Sequence, residues 1–310
     1  MWAVAMGVLL LFAPTTDYQG EGLKALEAKQ YDQAVQLFTQ AVQSDPADYS
    51  AHFNLALSFS MLGKDAEAIS EFQKTLEIKP GLYQAELNLG IVLLREKRAK
   101  EAVPHFDTAA QAKPKEFRAQ WYLAEALLSA DQPAQAEPHY QAAVEIDGKS
   151  AAAQLGLGRS EARQNRLSEA AEHFRNAAEL DTSFSDVLLE LAGLYEQNHQ
   201  PDEAIAIYQK FPDRPAAQER LGELLIEAQR FAEAIPYLEK AVAQSATPAN
   251  RLALATAYQM NKEQQKALAQ LEQAAAAEPA SYRLHMDYGR ALRDQRQFIM
   301  ERACGRAHAG

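Results

Sequence analysis

The chain has 310 residues, of which 47% are hydrophobic and 24% charged, a composition typical of folded proteins and not of disordered ones. Its 31 Lys and Arg are outnumbered by 42 Asp and Glu, and the net charge of −11 argues against a nucleic-acid partner, because such binding depends on basic contacts to phosphates. The single cysteine, Cys304, excludes an intramolecular disulfide framework and a cysteine-based zinc cluster.

Residues 1–14 form an apolar N-terminal segment, in which residues 2–13 carry no charge. A helix over these residues would span only about 18 Å, short of the ~30 Å hydrocarbon core of a bilayer. The length matches the apolar centre of a signal peptide, so we expect an extracytoplasmic (periplasmic or secreted) protein. No basic residue precedes the run and no small-x-small cleavage site stands before Pro14. An uncleaved membrane tether and a capping segment of a cytoplasmic protein therefore remain alternatives.

A three-residue pattern recurs along the rest of the chain. A signature alanine is followed four positions later by a bulky residue and three positions after that by a mostly small one, which places all three on one helical face. Another small residue stands twelve positions before each alanine. The pattern predicts pairs of amphipathic helices that approach closely at the small residues. The signature alanines are Ala34, Ala68, Ala102, Ala136, Ala170, Ala204, Ala234 and Ala267.

This repeating unit, 34 residues long in most copies, resembles the tetratricopeptide repeat (TPR) family. The resemblance covers residues 15–281, and prolines such as Pro46, Pro80 and Pro114 stand at the family's repeat-ending position. It implies an all-α helix-turn-helix solenoid, a right-handed superhelix of about eight repeats whose first helices line the concave surface. Such a fold has no central core, because each helix pair buries its apolar face against its neighbours.

Two parts of the chain depart from the pattern. The sixth unit is four residues shorter than the others, and we predict a change of curvature there that divides repeats 1–6 (15–214) from repeats 7–8 (215–281). A locally shortened loop is the alternative. We predict a capping helix or partial ninth repeat over 282–297 and a disordered tail over 298–310, where the signature is lost.

The sequence offers little sign of catalytic or metal chemistry. His105, His139 and His173 are spaced by 34 residues, but equivalent helices of neighbouring repeats pack about 8–10 Å apart, too far for ligands that share one zinc. We interpret these histidines as inherited repeat sequence. Phosphate loops, nucleophile elbows and zinc-binding HExxH motifs are absent from the sequence. We therefore predict no enzymatic activity, no metal and no cofactor.

Ligand contacts in the TPR family come mainly from fixed positions of each first helix, and in repeats two to four those positions are unusually apolar for a surface facing water. The predicted partner-binding residues are Phe53, Asn54, Leu57, Met61, Leu87, Asn88, Ile91, Arg95, Arg118, Trp121, Tyr122 and Glu125. Some family members hold a carboxyl-terminal peptide with a clamp of lysine, asparagine and arginine. Here Phe53, Leu57 and Tyr122 replace three clamp residues, which disfavours a chaperone-tail receptor.

These observations predict a non-catalytic protein–protein interaction scaffold that binds an extended peptide or helix in the concave TPR groove. Later first helices are acidic, with Glu219, Glu223 and Glu227 at groove positions, and would suit a basic end of the partner. The alternative is a self-assembling homo-oligomer or an envelope-complex assembly factor that uses the convex face or the array ends. We expect membrane association only if the N-terminal segment is uncleaved.

Overall fold

The computed structural model describes residues 17–307, with side chains for residues 17–296. The predicted signal peptide, residues 1–14, lies outside the described residues. The described part is helical and contains no strand, which confirms the predicted all-α fold of paired helices. Within residues 17–307, no helix combines the length and the apolar character needed to cross a bilayer.

Each repeat contributes a first helix and a second helix. The first helices are α1 (Tyr18–Glu27), α3 (Tyr49–Met61), α5 (Tyr83–Arg95), α7 (Phe117–Ser129), α9 (Ala151–Arg163), α11 (Val187–Gln197), α13 (Pro215–Glu227), α15 (Pro248–Met260) and α17 (Tyr282–Ala307). The second helices are α2 (Tyr31–Ser44), α4 (Asp65–Ile78), α6 (Ala99–Ala112), α8 (Pro133–Ile146), α10 (Leu167–Leu180), α12 (Pro201–Tyr208), α14 (Phe231–Gln244) and α16 (Gln264–Ala277). A short 3-10 helix (Thr182–Phe184) lies between α10 and α11.

The signature residues form the core of each helix pair. The signature alanines are fully buried, and so are the bulky residues that follow them, including Phe38, Phe72 and Phe106. In α5 the small residue Gly90 faces this aromatic ring, because a Cβ atom added to Gly90 would lie 2.6 Å from Cε1 of Phe106. The close approach that the small residues were predicted to permit is therefore a contact between one helix backbone and the aromatic side chain of its partner.

The turn between the two helices of a repeat has the same backbone geometry throughout the array. One turn residue has a positive φ, as in Lys29 (59°), Gly63 (70°) and Lys97 (60°). The following N–H donates to the carbonyl five residues earlier, for example Lys64 to Phe59 at 3.0 Å. This bond closes the end of the first helix and reverses the chain. A side chain at this position is strained, since the left-handed region favours glycine, and Gly63 alone among these three avoids the cost.

The residues that the structure describes form two compact units that divide between His173 and Phe174, within α10. The change of curvature after residue 214 stays a prediction. In the first unit, one apolar cluster extends from Ala56 to Leu157. In the second unit, α12 has eight residues where the other second helices have 14, yet it still packs against α13. The deletion in the sixth repeat therefore shortens α12, and the contact between α12 and α13 is kept within the second unit.

The C-terminal helix α17 continues to Ala307, ten residues beyond its predicted end at residue 297. Residues 298–307 of the predicted disordered tail are helical, and residues 308–310 lie outside the described residues. The prediction relied on the loss of the repeat signature. That loss removes the apolar packing pattern, but residues 290–304 contain no glycine or proline to interrupt a helix.

Candidate partner-binding surface

The predicted binding residues lie on α3, α5 and α7, and each of these first helices contacts the next within the first unit. Ten of the twelve are partly or fully exposed, whereas Asn54 is only 8% exposed and Leu87 only 3%. Leu87 belongs to the continuous apolar cluster of this unit. Both side chains pack inside the helix array and leave little surface for a partner, so we exclude them from the candidate surface.

An apolar strip runs across three successive repeats and consists of Leu23, Leu57 and Ile91. Each residue directly follows the small residue of its first helix, and α1, α3 and α5 contact one another in order. Leu23 is 43% exposed, and Leu57 and Ile91 are half-buried. The sequence prediction began at the second repeat and missed Leu23. Its position directly after Gly22, equivalent to Leu57 after Ala56, was the signal that could have revealed it.

An aromatic group, Phe53 of α3 with Trp121 and Tyr122 of α7, packs on the same apolar cluster as Ile91 of the strip. Phe53 meets the buried ring of Phe72 edge-on, with ring centroids 5.8 Å apart. Tyr122 stacks on Phe106, with centroids 5.5 Å apart and planes within 6°. Trp121 meets Tyr122 edge-on at 4.8 Å. Because buried rings support the partly exposed ones, a partner would meet surfaces whose side-chain freedom is already restricted.

Two further features of this aromatic group bear on recognition. The guanidinium of Arg118 lies 5.8 Å from the ring centroid of Tyr122, within the range of a cation–π contact. The indole nitrogen Nε1 of Trp121 is shielded from solvent and has no hydrogen-bond acceptor among the described residues. Trp121 therefore combines a large apolar surface with an unused donor.

The polar residues of the predicted surface are largely engaged within the chain. Asn88 donates through Nδ2 to the carbonyl of Gln84 at 2.7 Å. Arg95 donates through Nε to Asp65 at 2.7 Å, and this contact lowers the pKa of the Asp65 carboxyl. Glu125 accepts a hydrogen bond of 2.5 Å from the hydroxyl of Tyr140. Met61 is exposed at the end of α3 and adds apolar surface.

The regularly spaced histidines each pair with a first-helix residue of their own repeat, 19 positions earlier. Nδ1 of His105 lies 2.6 Å from Oε2 of Glu86. Nδ1 of His139 lies 2.8 Å from Oε1 of Gln120, and His173 has the equivalent contact with Gln154. These are contacts between the two helices of one repeat. Among the residues that the structure describes, no three His, Cys, Asp or Glu side chains are grouped to hold a metal ion.

Comparisons with known proteins agree with this repeat architecture. One tetratricopeptide repeat model matches residues 20–83, 87–151 and 123–183, and two other models of the same description match residues 161–224 and 215–247. The comparison with curated proteins found no match.

Among solved structures, the chain is similar to MamA 41-end from Desulfovibrio magneticus RS-1, with 25% identity and a TM-score of 0.51 over 54% of this chain and 94% of that one. It is also similar in fold to YrrB, described as a TPR protein with an unusual peptide-binding site, with 24% identity and a TM-score of 0.51 over 62% of this chain and 97% of that one.

Proposed function

The chain belongs to the tetratricopeptide repeat family, and we propose that it is a non-catalytic scaffold whose first unit binds an extended peptide or a helix of a partner protein. The proposed contact surface is the apolar strip together with the aromatic group of Phe53, Trp121 and Tyr122.

The apolar strip is the observation that carries this proposal. A single exposed leucine is ordinary on a protein surface, but here apolar residues that are exposed or half-buried occupy one register of three adjacent helices, and aligned apolar surface of this kind is a mark of an interaction site. Helical repeats keep such residues in line, so the strip would suit a partner segment that crosses several first helices.

Trp121 supplies a second reason for contact here. A buried donor without an acceptor costs about 1–3 kcal/mol. Because this N–H is shielded from solvent, a partner carbonyl would accept from it only after the indole rotates, which would remove this cost and keep the ring as the kind of anchor that dominates many interfaces.

The proposal is tested by placing negative charges on the apolar strip. We expect Leu23→Glu/Leu57→Glu to lower partner capture from native cells at least about tenfold, because a carboxylate in a desolvated apolar contact is costly. The control is Ile78→Glu/Ile146→Glu, which changes two apolar residues on second helices of the same unit (39% and 41% exposed); Leu23 is similarly exposed, whereas Leu57 is half-buried. Mass spectrometry identifies the captured proteins, and unchanged helical circular-dichroism melts exclude unfolding. Equal capture by the strip variant and the wild type would reject this surface.

Self-assembly is the second candidate function, and exposed Ile78 and Ile146 favour it. They occupy the same register at the ends of α4 and α8, away from the apolar strip. Light scattering on the same two double variants separates the candidates. A mass that rises with concentration in the wild type and is lost only in Ile78→Glu/Ile146→Glu would favour self-assembly through the second helices.

A further inference from the structure

The second unit contains a cleft of about 700 Å³ between its first helices α13, α15 and α17. Its floor is formed by α15, where Leu252 lies between the small residues Ala249 and Ala253, and Ile226 of α13 adds apolar surface. The volume falls within the ~300–1,000 Å³ typical of ligand pockets. The cleft is therefore large enough to hold several residues of a peptide.

One wall of the cleft is acidic. Of the three glutamates that the sequence singled out, Glu223 and Glu227 line the cleft, whereas Glu219 is not among the lining residues. Arg220 orients Glu223 through a 2.7 Å contact between Nη1 and Oε2, and it also contacts Glu196 and Glu227. One arginine thus faces three carboxylates, of which Glu223 and Glu227 line the cleft, and this group of four side chains has a net charge of −2.

The opposite wall, on α17, carries both signs of charge. Arg283 and Arg290 lie on either side of Asp287, at 4.0 and 3.7 Å from its carboxylate oxygens, and Asp294 follows one turn later. The two guanidiniums extend into water, while the carboxylate of Asp287 lies between them. The two arginines and two aspartates of this wall balance in charge, so it gives a second cation no net attraction and does not favour a uniformly basic ligand.

We propose that this cleft binds a segment of a partner protein that has one basic side chain at one end, followed by small and aliphatic residues. The basic side chain would lie against Glu223 and Glu227, and the aliphatic ones over Leu252 and Ile226. This site lies in the second unit and does not depend on the surface proposed for the first unit.

Two observations favour a protein segment over a small free ligand. The charged walls are open to water, with 61% of the Glu227 side chain exposed, and small ligands bind well where most of their surface is buried. The second observation is the change of residue type at one repeat position. The position directly after the small residue of each first helix is held by Glu223, Thr256 and Arg290 here, and by Leu23, Leu57 and Ile91 in the first unit. A change of charge along successive first helices suits a segment that crosses them in sequence.

The test uses five capped peptides and the full chain with isotope-labelled alanine and leucine methyl groups. The peptides are Lys-Ala-Ala-Leu-Ala-Ala, its reverse Ala-Ala-Leu-Ala-Ala-Lys, and a version of each in which glutamate replaces lysine; a dilysine peptide, Lys-Ala-Ala-Leu-Ala-Lys, completes the set. At low ionic strength we expect one lysine peptide to shift the methyl resonances of Ala249, Ala253 and Leu252. The glutamate peptides should bind at least about tenfold more weakly, and dilysine no better than single lysine.

Charge exchange supplies the decisive comparison. The variant Glu223→Lys/Glu227→Lys should no longer bind the lysine peptide and should bind the glutamate peptide instead. The control Glu203→Lys/Glu272→Lys makes the same change in net charge at exposed positions of second helices, and it should keep the wild-type preference. A second variant, Arg283→Glu/Arg290→Glu, is used if the first variant folds poorly, because the ion pairs of these two arginines are long. It should bind the dilysine peptide in preference to the single-lysine peptides.

The proposal is overturned if no peptide shifts these methyl groups at millimolar concentration, or if the peptide preference survives both cleft variants. The strip variant Leu23→Glu/Leu57→Glu should leave these shifts unchanged. Failure at the first-unit surface can therefore be distinguished from failure at this cleft.

Discussion

Glu161 of α9 shows how a single acidic side chain sets a pH dependence. It is 5% exposed, and its Oε2 atom has no hydrogen-bond partner among the described residues. Burial raises the pKa of its carboxyl to about 7, and the nearby Glu137 and Glu169 act in the same direction against the lowering influence of Arg166. The protonated form is therefore favoured in the folded chain at mildly acidic pH.

The sign of the stability change follows from this shift. Between the ordinary value of 4.5 and about 7, the folded chain keeps a proton that the unfolded chain releases, so the free energy of unfolding falls as pH rises through this range. We expect Glu161→Gln to raise the free energy of unfolding by about 1–2 kcal/mol at pH 8 and by much less at pH 4.5. Urea unfolding at both pH values measures this, with Glu179→Gln, a change at an exposed residue of α10, as control. A gain that is the same at both pH values would contradict it.

Helix pairs depend on the contact between a small residue and an aromatic ring. In α5 and α6 this contact joins Gly90 to the fully buried Phe106. Gly22 approaches Phe38 almost as closely in the first repeat, whereas alanine occupies this position in the repeats on either side of Gly90, at Ala56 and Ala124. The Phe106 ring is fully buried, so a methyl group added at Gly90 would have to displace it within the packed core.

We expect Gly90→Ala to lower the free energy of unfolding by about 1–3 kcal/mol, because overpacking outweighs the better helix propensity of alanine. Gly193→Ala in α11 is the matched control. No atom lies within 4 Å of its Cβ position. It should be neutral or stabilising by up to about 1 kcal/mol. Thermal melts followed by circular dichroism compare the two, and a similar change in both would show that the contact with Phe106 is unimportant.

The stability of a repeat array is approximately the sum of contributions from each repeat and from the interfaces between neighbouring repeats, so the terminal repeats have the separate role of covering the ends. In the second unit, α17 buries Leu284 and Ala291 against apolar clusters that include Leu271 of α16 and the half-buried Leu252. The exposed polar side chains of α17 cover this apolar end, as expected of a terminal repeat.

Deletion of residues 282–310 should uncover these clusters. Burial of one leucine stabilises by about 1.5–3 kcal/mol, so we expect hydrogen-exchange protection in α15 and α16 to fall on the order of 10- to 100-fold. Protection in α13 and α14 should fall less, because repeats couple mainly to their nearest neighbours. Leu292→Ala, which changes an exposed residue of α17, is the control. A uniform loss across α13–α16 would instead show that these four helices unfold as one cooperative block.

The sequence by itself determined the repeat, the helix pairs and the core, because these follow from local periodicity. Alanine and a bulky residue at fixed spacing place Ala68 and Phe72 on one face, and that face must be buried wherever the neighbouring helices lie. The tight turns that follow each first helix keep this register in step along the array.

Only the tertiary structure decided how deeply each surface-facing side chain lies and where the clefts are. Leu87 and Leu23 are both apolar first-helix residues, yet one is buried and the other exposed, because burial depends on helices of the adjacent repeats. Glu223 and Arg290, which are 67 positions apart, hold the same repeat register, but only the packing of α13, α15 and α17 shows that they line opposite walls of one cleft. Periodicity determines the face on which a residue stands, while packing between repeats determines what remains accessible to a partner.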